Sequence, residues 1–564
     1  MTTLGKFVLA LLIIGVAGVG VYKWWDKLNP TAATSGTSSS SRNGPSSTTA
    51  SSGKTDSKGD TLDAADFLAP LDSCPLLPPA AAYVPKDNIV DLELSEYAGY
   101  AGIVAANGGL EPTENSVFFR KHGFKLRIKL SEEESWPALN AGRIAAAATT
   151  VDVLTAYCRN FQVTVPVQIG FSRGAGGLVV RKEIRRINDL KGRTLVTAQF
   201  TESDFFIRYL AQEAGLSVNM LRKPNDRPDP EKVNLLFAAD AFAAGDLFLK
   251  DLESGSSRLA GCVTWAPKTT EVVAASKGAA TLLTTNKNLL IVADILVVNK
   301  GFAQANPKIV AGLTDGILEG NRLVRDTPAT QLDLIGKTFK WNAEQTREEL
   351  AKVHLSNLPE NLAFYSGAID AAGSFSGIFS SALLVYGPLI DVPSDADRYM
   401  DDAPLKALQA AGAYAGQRVA IAPIRSRSVG ALERDPLLSK DIRFLFEPNS
   451  AKLDMNNAEN LANLESIKRL LQVSPGSTIL LRGHVDNALV DKFRKEGGEP
   501  FVNQMALKAM ELSKNRAAEI KSVLSSRLAV EAARLETIGR GWQEPSGTDA
   551  EKNRRVEVQW FTVE

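Results

Sequence analysis

The stretch Arg482-Gly483-His484-Val485-Asp486-Asn487 decides the fold of the C-terminal part of the chain. Residues 477–482 form an apolar run with β-forming side chains, and a glycine closes it, so Asp486 comes just after a buried strand. Apolar residues then recur at helical spacing from Leu507 to Leu524, which places Arg516 within an amphipathic helix. A carboxylate at a strand end and a guanidinium on a helix, facing one cleft, suit a ligand that carries both an ammonium and a carboxylate group.

The surrounding sequence predicts the order β-α-β-α-β-β for residues 441–564. The predicted strands cover residues 442–446, 477–482, 534–539 and 555–563, and the first predicted helix covers residues 461–471. In the last strand, Val556, Val558 and Trp560 alternate with Glu557 and Gln559, which is typical of a sheet with one buried face.

These motifs resemble the OmpA-like peptidoglycan-binding domain. The likeness rests on four motifs in order: Gly483-His484-Val485-Asp486, Leu512-Ser513-Lys514-Asn515-Arg516-Ala517, Gly539-Arg540-Gly541 and Asn553-Arg554-Arg555-Val556-Glu557. In that family the matching Asp and Arg hold the diaminopimelate of the peptidoglycan stem peptide. The resemblance therefore implies peptidoglycan-binding roles for Asp486 and Arg516, with Gly483, Asn487 and Ser513 beside them.

The chain departs from the family pattern at two places. Ala509 stands where the family has Asn, and a polar insert at residues 492–500 lengthens the segment before the Leu-Ser pair. The alternative interpretation is that Asp486 caps a helix and Arg516 forms a surface ion pair. We expect His484 to be structural, and we expect Arg554 and Arg555 to support the last strand.

Composition limits the classes of function. The 564 residues exceed what one core organises, so three or more units are expected. Lys plus Arg and Asp plus Glu number 64 each, which leaves no basic field for nucleic acid. The three cysteines, Cys74, Cys158 and Cys262, match no metal or redox spacing and allow one disulfide at most. We expect no metal and no cofactor.

The N-terminus predicts a membrane anchor. Lys6 precedes an apolar run at residues 7–22, which Lys23, Trp24 and Trp25 follow, and we assign residues 1–29 to an uncleaved transmembrane signal anchor. A cleaved signal peptide is the alternative. No carboxylate lies within the run, which argues against a proton-driven stator subunit. Residues 30–60, rich in Ser, Thr and Gly, predict a flexible linker.

Residues 61–391 predict a mixed α/β fold. Candidate strands cover residues 126–129, 165–169, 177–181, 194–197 and 289–298, and candidate helices cover residues 204–214 and 307–325. Polar and aromatic residues follow several of these strands, and ligands of open α/β sheets bind at such ends. Residues 392–440 predict a partly ordered connector.

The phrases at residues 99–108, 138–142, 187–194, 263–267 and 293–298 resemble periplasmic solute-binding proteins of the nitrate, taurine and thiamine-precursor type. That resemblance implies two lobes that close on a small polar ligand. By position, the candidate cleft residues are Tyr97, Tyr100, Thr150, Asp152, Ser172, Thr201 and Trp265. The helix that opens after Thr201 offers backbone amides to an anion. Alternatively, the aromatic residues belong to the core and residues 172–177 form an ordinary turn.

The sequence thus predicts a two-lobed binding-protein-like domain, a β-α-β-α-β-β domain and a transmembrane helix in one chain. We expect a non-enzyme in the bacterial inner membrane, with its bulk in the periplasm, that binds peptidoglycan and presents a solute-binding or sensing domain. A membrane protein partner is expected as well. Pyrimidine synthases of this fold need a His and a cysteine cluster, and none of His122, His354 and His484 lies near a cysteine in sequence. The alternatives are a receptor that delivers solute to a permease, and a structural bracket between membrane and wall.

Overall fold

The computed structural model describes residues 62–131, 136–368, 373–390, 393–421, 436–447 and 450–562. The predicted anchor at residues 1–29 and the linker at residues 30–60 lie outside these ranges. Within them, every helix is too short or too polar to qualify as a membrane span.

Two six-stranded sheets organise the N-terminal two-thirds of the described chain. The first sheet has the strand order β12-β4-β11-β3-β1-β2, and the second has the order β10-β5-β9-β6-β8-β7. The strands are β1 (Ile89–Leu94), β2 (Lys125–Leu130), β3 (Ala146–Thr150), β4 (Val163–Ser172), β5 (Gly176–Arg181), β6 (Thr194–Thr197), β7 (Val218–Met220), β8 (Val233–Phe237), β9 (Gly261–Trp265), β10 (Ala280–Thr285), β11 (Ala293–Asn299) and β12 (Val353–Leu355).

Helices cover both sheets, so the central strands are buried on both faces. Every residue of β11 is buried, and its run of apolar side chains is typical of a strand in the middle of a covered sheet. The helices of this part are α1 (Ala101–Asn107), α2 (Val117–His122), α3 (Trp136–Asn140), α4 (Val151–Tyr157), α5 (Glu202–Glu213), α6 (Ala241–Glu253), α7 (Lys268–Ala275), α8 (Lys300–Ala305), α9 (Pro307–Asp326), α10 (Pro328–Phe339), α11 (Ala343–Leu350), α12 (Leu358–Ser366), α13 (Phe375–Tyr386) and α14 (Ala403–Ala410).

The chain passes between the two sheets at two short segments. Residues 173–175 lead from β4 to β5, and residues 286–292 lead from β10 back to β11. We call the second segment the crossover. The strand predicted at residues 289–298 is therefore too long: its first part belongs to the crossover, where the Leu290 amide donates to the Val473 carbonyl at 2.7 Å instead of to a neighbouring strand. The other four strands predicted in this part and both helices are present with ends shifted by a few residues.

The C-terminal region forms a four-stranded sheet with the predicted order of elements, except for one short additional helix between the last two strands. Its strand order is β13-β16-β14-β15, with β14 parallel to β15 and β16 antiparallel to β13 and β14. The elements are β13 (Leu438–Ile442), α15 (Ala458–Val473), β14 (Thr478–Gly483), α16 (Val490–Arg527), β15 (Leu535–Gly539), the short α17 (Ala550–Asn553) and β16 (Val556–Phe561).

The first strand of this sheet lies earlier than predicted. It occupies Leu438–Ile442 and pairs with β16, whereas the prediction placed it at residues 442–446. Leu438 and Ile442 supply its buried ends, and the aromatic residues that suggested a strand, Phe444 and Phe446, follow it and line a cavity. The connector predicted at residues 392–440 therefore overlaps the start of the C-terminal sheet.

Candidate functional sites

A cavity of about 140 Å³ lies in the C-terminal region where β14 and β16 meet α16. Its lining is aromatic and strongly basic: Arg443, Phe444, Leu445, Phe446, Gly483, His484, Arg516, Arg554, Arg555 and Val556. Four of these residues are arginines, and none of the described lining residues is acidic. A site of this composition attracts a carboxylate.

Among the four arginines that line the cavity, Arg516 has the fewest contacts with protein groups that would compete with a ligand. Its guanidinium lies over the ring of Phe446, 4.8 Å from the centroid, and its Nε donates to the Ser450 carbonyl at 3.4 Å. Burial lowers the pKa of Arg516, the neighbouring Arg554 lowers it further, and Asp486 opposes both. Within the described part of the chain no carboxylate comes within 4.0 Å of the Arg516 guanidinium, so its charge is available to a ligand.

Asp486 stands beside the same cavity. One carboxylate oxygen accepts from the Ala488 amide at 3.1 Å, and the other lies 3.5 Å from Nε of Arg554. Helix α16 begins at Val490 with Leu489 as its N-cap, so Asp486 does not cap that helix. Arg554 precedes β16, lines the cavity and lies 3.5 Å from Asp486, so it contributes to the site itself. Its role in supporting the last strand stays a prediction.

Gly483 on β14 and Ser513 on α16 allow the strand and the helix to pack in direct contact. A Cβ atom at Gly483 would lie 2.1 Å from the Ser513 carbonyl oxygen, so only glycine permits the approach. The fully buried Ser513 hydroxyl donates to the Met510 carbonyl at 2.8 Å and accepts from the Gly541 amide at 3.0 Å. Gly483 lines the cavity, Ser513 supports it from behind, and Asn487 is exposed next to Asp486.

His484, Glu544 and Glu557 form a group whose ligand atoms lie within 4.8 Å of one another, as a metal site requires. The guanidinium of Arg482 already pairs with both carboxylates, at 2.6 Å from Glu557 and 2.8 Å from Glu544. A divalent cation would have to displace that guanidinium. The arrangement is therefore that of an ion-pair network, and it fixes β14 to β16 beneath the cavity.

A second cavity, of about 70 Å³, lies between the two six-stranded sheets. Its walls come from β1, β3, β11, the segment before α1, and the ends of β4, β5 and β9. The lining residues are Glu93, Leu94, Ser95, Tyr97, Tyr100, Ser131, Trp136, Ala147, Ala148, Thr149, Thr150, Ser172, Ala175, Gly176, Glu202, Trp265, Asn286, Val292 and Asp294. We call it the interlobe cavity.

Five of the seven candidate cleft residues from the sequence line this cavity: Tyr97, Tyr100, Thr150, Ser172 and Trp265. Asp152 and Thr201 are not among its described lining residues. Asp152 is fully buried at the start of α4, where burial raises its pKa to about 7. The Thr201 hydroxyl donates to the Ala198 carbonyl at 2.8 Å and so belongs to the turn before α5, and the next residue, Glu202, reaches the cavity instead.

The sequence did not identify Asp294, which lies at the centre of the lining. Its two carboxylate oxygens accept hydrogen bonds from the Tyr97 and Tyr100 hydroxyls, each at 3.4 Å, and the two rings meet edge to face at 5.2 Å. Burial raises the pKa of Asp294 well above its ordinary value. The sequence did contain a sign of this residue, since Asp294 is the single acid inside the apolar run of β11. Burial of a carboxylate in a covered central strand is costly, so it indicates a functional or structural role.

The N-terminal part is a two-lobed fold of the binding-protein type: two helix-covered sheets are joined by two short segments and enclose a cavity between them. A C-terminal α/β sheet follows it. Residues 445–559 match the family model described as the OmpA family, which confirms the resemblance predicted for the C-terminal region. No curated protein matches the chain in sequence.

Solved structures also match the N-terminal two-thirds. The alkanesulfonate-binding protein SsuA from Xanthomonas axonopodis pv. citri, bound to MOPS, is 13% identical and has a TM-score of 0.43; the match covers 56% of this chain and 99% of that one. The periplasmic aliphatic sulphonate binding protein SsuA from Escherichia coli is 15% identical with a TM-score of 0.42, and the match covers 61% and 98% of the two chains. The Candida albicans CA3427 gene product, described as having the generic periplasmic binding protein fold, is 11% identical with a TM-score of 0.43, covering 57% and 97%.

Proposed function

We propose that this chain is a bacterial cell-envelope protein that binds peptidoglycan non-covalently through residues 441–564 and presents a small-solute-binding or sensing domain, residues 61–391, in the periplasm. The N-terminal segment anchors it in the inner membrane. The proposal joins the OmpA family match at residues 445–559 with the two-lobed fold and its interlobe cavity.

One observation supports the peptidoglycan site above all. Arg516 is desolvated, stacked on Phe446 and without an acidic partner among the described residues, while Asp486 lies beside the same cavity. The diaminopimelate side chain ends in an amino group and a carboxylate on one carbon. Arg516 binds the carboxylate through its paired N–H donors, and Asp486 binds the ammonium. Arg554 then releases Asp486 and keeps its second partner, Glu551, at 2.5 Å.

Retention on purified sacculi tests this proposal. We expect Asp486→Asn and Arg516→Ala each to weaken retention of the full chain about tenfold or more, because each removes a charge-assisted contact to the ligand. Arg494→Ala is the matched control: this arginine lies in the first part of α16, before the break in the helix at Gly498, pairs only with Asp491 and Glu499 among the described residues, and does not line the cavity. Equal retention of Arg516→Ala, Asp486→Asn and the control would refute the site.

A second experiment separates a diaminopimelate site from general attraction of the basic cavity for an acidic polymer. Sacculi that contain lysine in place of diaminopimelate lack the carboxylate that Arg516 binds. We expect the wild type to be retained poorly on them, at about the level of Arg516→Ala on diaminopimelate sacculi. Equal retention of the wild type on both kinds of sacculi would contradict the assignment.

A further inference from the structure

The interlobe cavity has an unusual charge balance for a site between two lobes. Its described lining includes three acids, Glu93, Glu202 and Asp294, and no lysine, arginine or histidine. Glu93 is already paired with Lys129, whose ammonium lies 3.4 Å away. Asp294 has no cation within 4.0 Å among the described residues, and its oxygens receive only the two long tyrosine hydrogen bonds. Burial disfavours the ionised form of this carboxyl, and a bound cation would offset that cost by direct pairing, whereas a bound anion would add to it.

Aromatic side chains make up much of the remaining lining. Tyr97 and Tyr100 meet at Asp294, and Trp136 and Trp265 complete the set. A carboxyl that contacts two tyrosines, in a cavity that tryptophan also lines, suits organic ammonium ions, because the negative faces of aromatic rings attract a cation while they tolerate its methyl or methylene groups. A strongly hydrated metal ion would instead need several oxygen ligands at once.

Two side chains that line the cavity carry buried polar atoms with unused hydrogen-bonding capacity. The Thr149 hydroxyl belongs to a residue that is 4% exposed and has no hydrogen-bond partner among the described residues. Asn286 is fully buried, and its side-chain oxygen accepts from the Gly174 amide at 2.9 Å, while its side-chain nitrogen has no partner in the part of the chain that the structure describes. Buried polar atoms are normally satisfied, so these two lining side chains keep unused hydrogen-bonding capacity. The Asn286 N–H groups call for an oxygen acceptor on that ligand.

The size of the cavity sets the size of the ligand. A water-sized group needs roughly 10–15 Å³ of such space, so a cavity of about 70 Å³ holds on the order of five such groups. We infer that the interlobe cavity takes a small organic ammonium ion that also bears a neutral oxygen, such as an amino alcohol, with its cationic end at Asp294 and its oxygen near Asn286. This inference rests on the proposed solute-binding role and names the ligand class.

Calorimetric titration of the full chain tests the inference with three probes: ethanolamine, choline and methanesulfonate. We expect at least one of the two ammonium compounds to bind and methanesulfonate not to bind. Asp294→Asn, which keeps an oxygen for the tyrosine hydroxyls, is expected to weaken that binding tenfold or more. Asp246→Asn is the control, because this exposed acid lies in the same lobe as Trp265, pairs with Lys268 and does not line the cavity.

A second variant guards against a folding defect in Asp294→Asn. Thr149→Val preserves shape and removes only the unpartnered hydroxyl, so we expect it to weaken binding of the ammonium probe while its thermal midpoint stays near that of the wild type. Binding of methanesulfonate alone, no binding of either ammonium compound, or unchanged affinity in Asp294→Asn would each overturn the inference. Retention on sacculi depends on the other site, so such a result would leave the peptidoglycan proposal standing.

Discussion

At the scale of single residues, Glu557 links acidity to the stability of the C-terminal sheet. Burial alone would raise its pKa, but His484, Gln559 and Arg482 outweigh burial and hold it at about 2, down from 4.5. Because the folded pKa is the lower one, ionised Glu557 stabilises the fold above about pH 4.5, and this contribution fades as the pH falls toward 2. At neutral pH it amounts to at most about 3 kcal/mol.

We therefore expect Glu557→Gln to lower the thermal midpoint at pH 7 and to differ less and less from the wild type as the pH falls from 4.5 toward 2. The reason is that protonated Glu557 and Gln have the same charge. Midpoints measured by circular dichroism across this range check the prediction. Glu465→Gln, at an exposed i,i+3 pair with Lys468 on α15, should match the wild type at every pH. A constant difference between Glu557→Gln and the wild type would contradict the ionic explanation.

The sequence identified some of these residues and not others for a physical reason. Asp486 and Arg516 could be placed because a strand end and a helical period fix where local side chains emerge. The pairing of Arg554 with Asp486 was not predicted and Asp294 was missed, because their contacts join residues far apart in the chain: Asp294 meets Tyr97 and Tyr100 across nearly two hundred positions. Such contacts depend on packing that no local pattern contains.

At the scale of elements, the packing of α1 against α9 positions the aromatic pair of the interlobe cavity. Helix α1 begins directly after Tyr100. A Cβ atom at Gly320 on α9 would lie 1.9 Å from the Gly102 carbonyl oxygen on α1, so the two helix backbones are in contact. Asn321 continues the contact, because a Cβ atom at Gly102 would lie 2.1 Å from its Oδ1. Its Nδ2 donates to the Ile169 and Ser356 carbonyls at 2.8 and 2.9 Å, which ties α9 to the first sheet.

We expect Gly320→Ala to destabilise the protein by about 1–3 kcal/mol, since the added methyl group must push the helices apart. Displacement of α1 would also move Tyr100, so binding of a ligand in the interlobe cavity should weaken as well. Thermal unfolding and calorimetry measure the two effects. Gly547→Ala, where a Cβ atom meets nothing within 4 Å, should change neither. If Gly320→Ala has the same stability as the wild type, α1 and α9 are not in close contact.

Most of the elements that apolar runs and helical periods predicted are present, although many strands and helices of the two six-stranded sheets were not predicted. The two errors both occur where a segment is held by a distant part of the chain. The strand predicted at residues 289–298 lost its first part to the crossover, and the strand predicted at residues 442–446 lies at Leu438–Ile442 because β16 pairs there.

At the scale of the whole molecule, the C-terminal sheet contacts the second lobe, which is built on the sheet β10-β5-β9-β6-β8-β7. We call this contact surface the seam. Asn188 and Ser439 exchange two hydrogen bonds of 2.8 Å, and the Ile187 amide donates to the Leu437 carbonyl at 2.9 Å. Glu213 on α5 is buried at this seam, which raises its pKa, while Lys440 and Arg469 of the C-terminal region oppose that effect. The sequence predicted a connector at residues 392–440 and gave no sign of this seam, because its contacts link positions about 250 apart.

The seam also reaches the crossover between the lobes, through the hydrogen bond from Leu290 to Val473. Val292, two residues on, lines the interlobe cavity. Closure of two lobes about such segments is a common response to ligands. We therefore expect a bound ligand to slow hydrogen exchange at Leu290 and, through the shared contact, at the end of α15. The contact between Leu290 and Val473 thus links the interlobe cavity to the C-terminal sheet.

Asn188→Ala tests whether that route depends on docking of the C-terminal sheet. Loss of both side-chain hydrogen bonds should cost about 1–3 kcal/mol locally and speed exchange of the β13 amides, because the Ser439 amide and carbonyl lose their partner. The ligand should still slow exchange at Leu290 in this variant, but its effect on α15 should shrink. Asn219→Ala is the control, since Asn219 bonds only to Asn234 within the second lobe among the described contacts. If exchange in α15 responds to ligand equally in both variants, the seam does not transmit the signal, and the crossover contact at Val473 alone suffices.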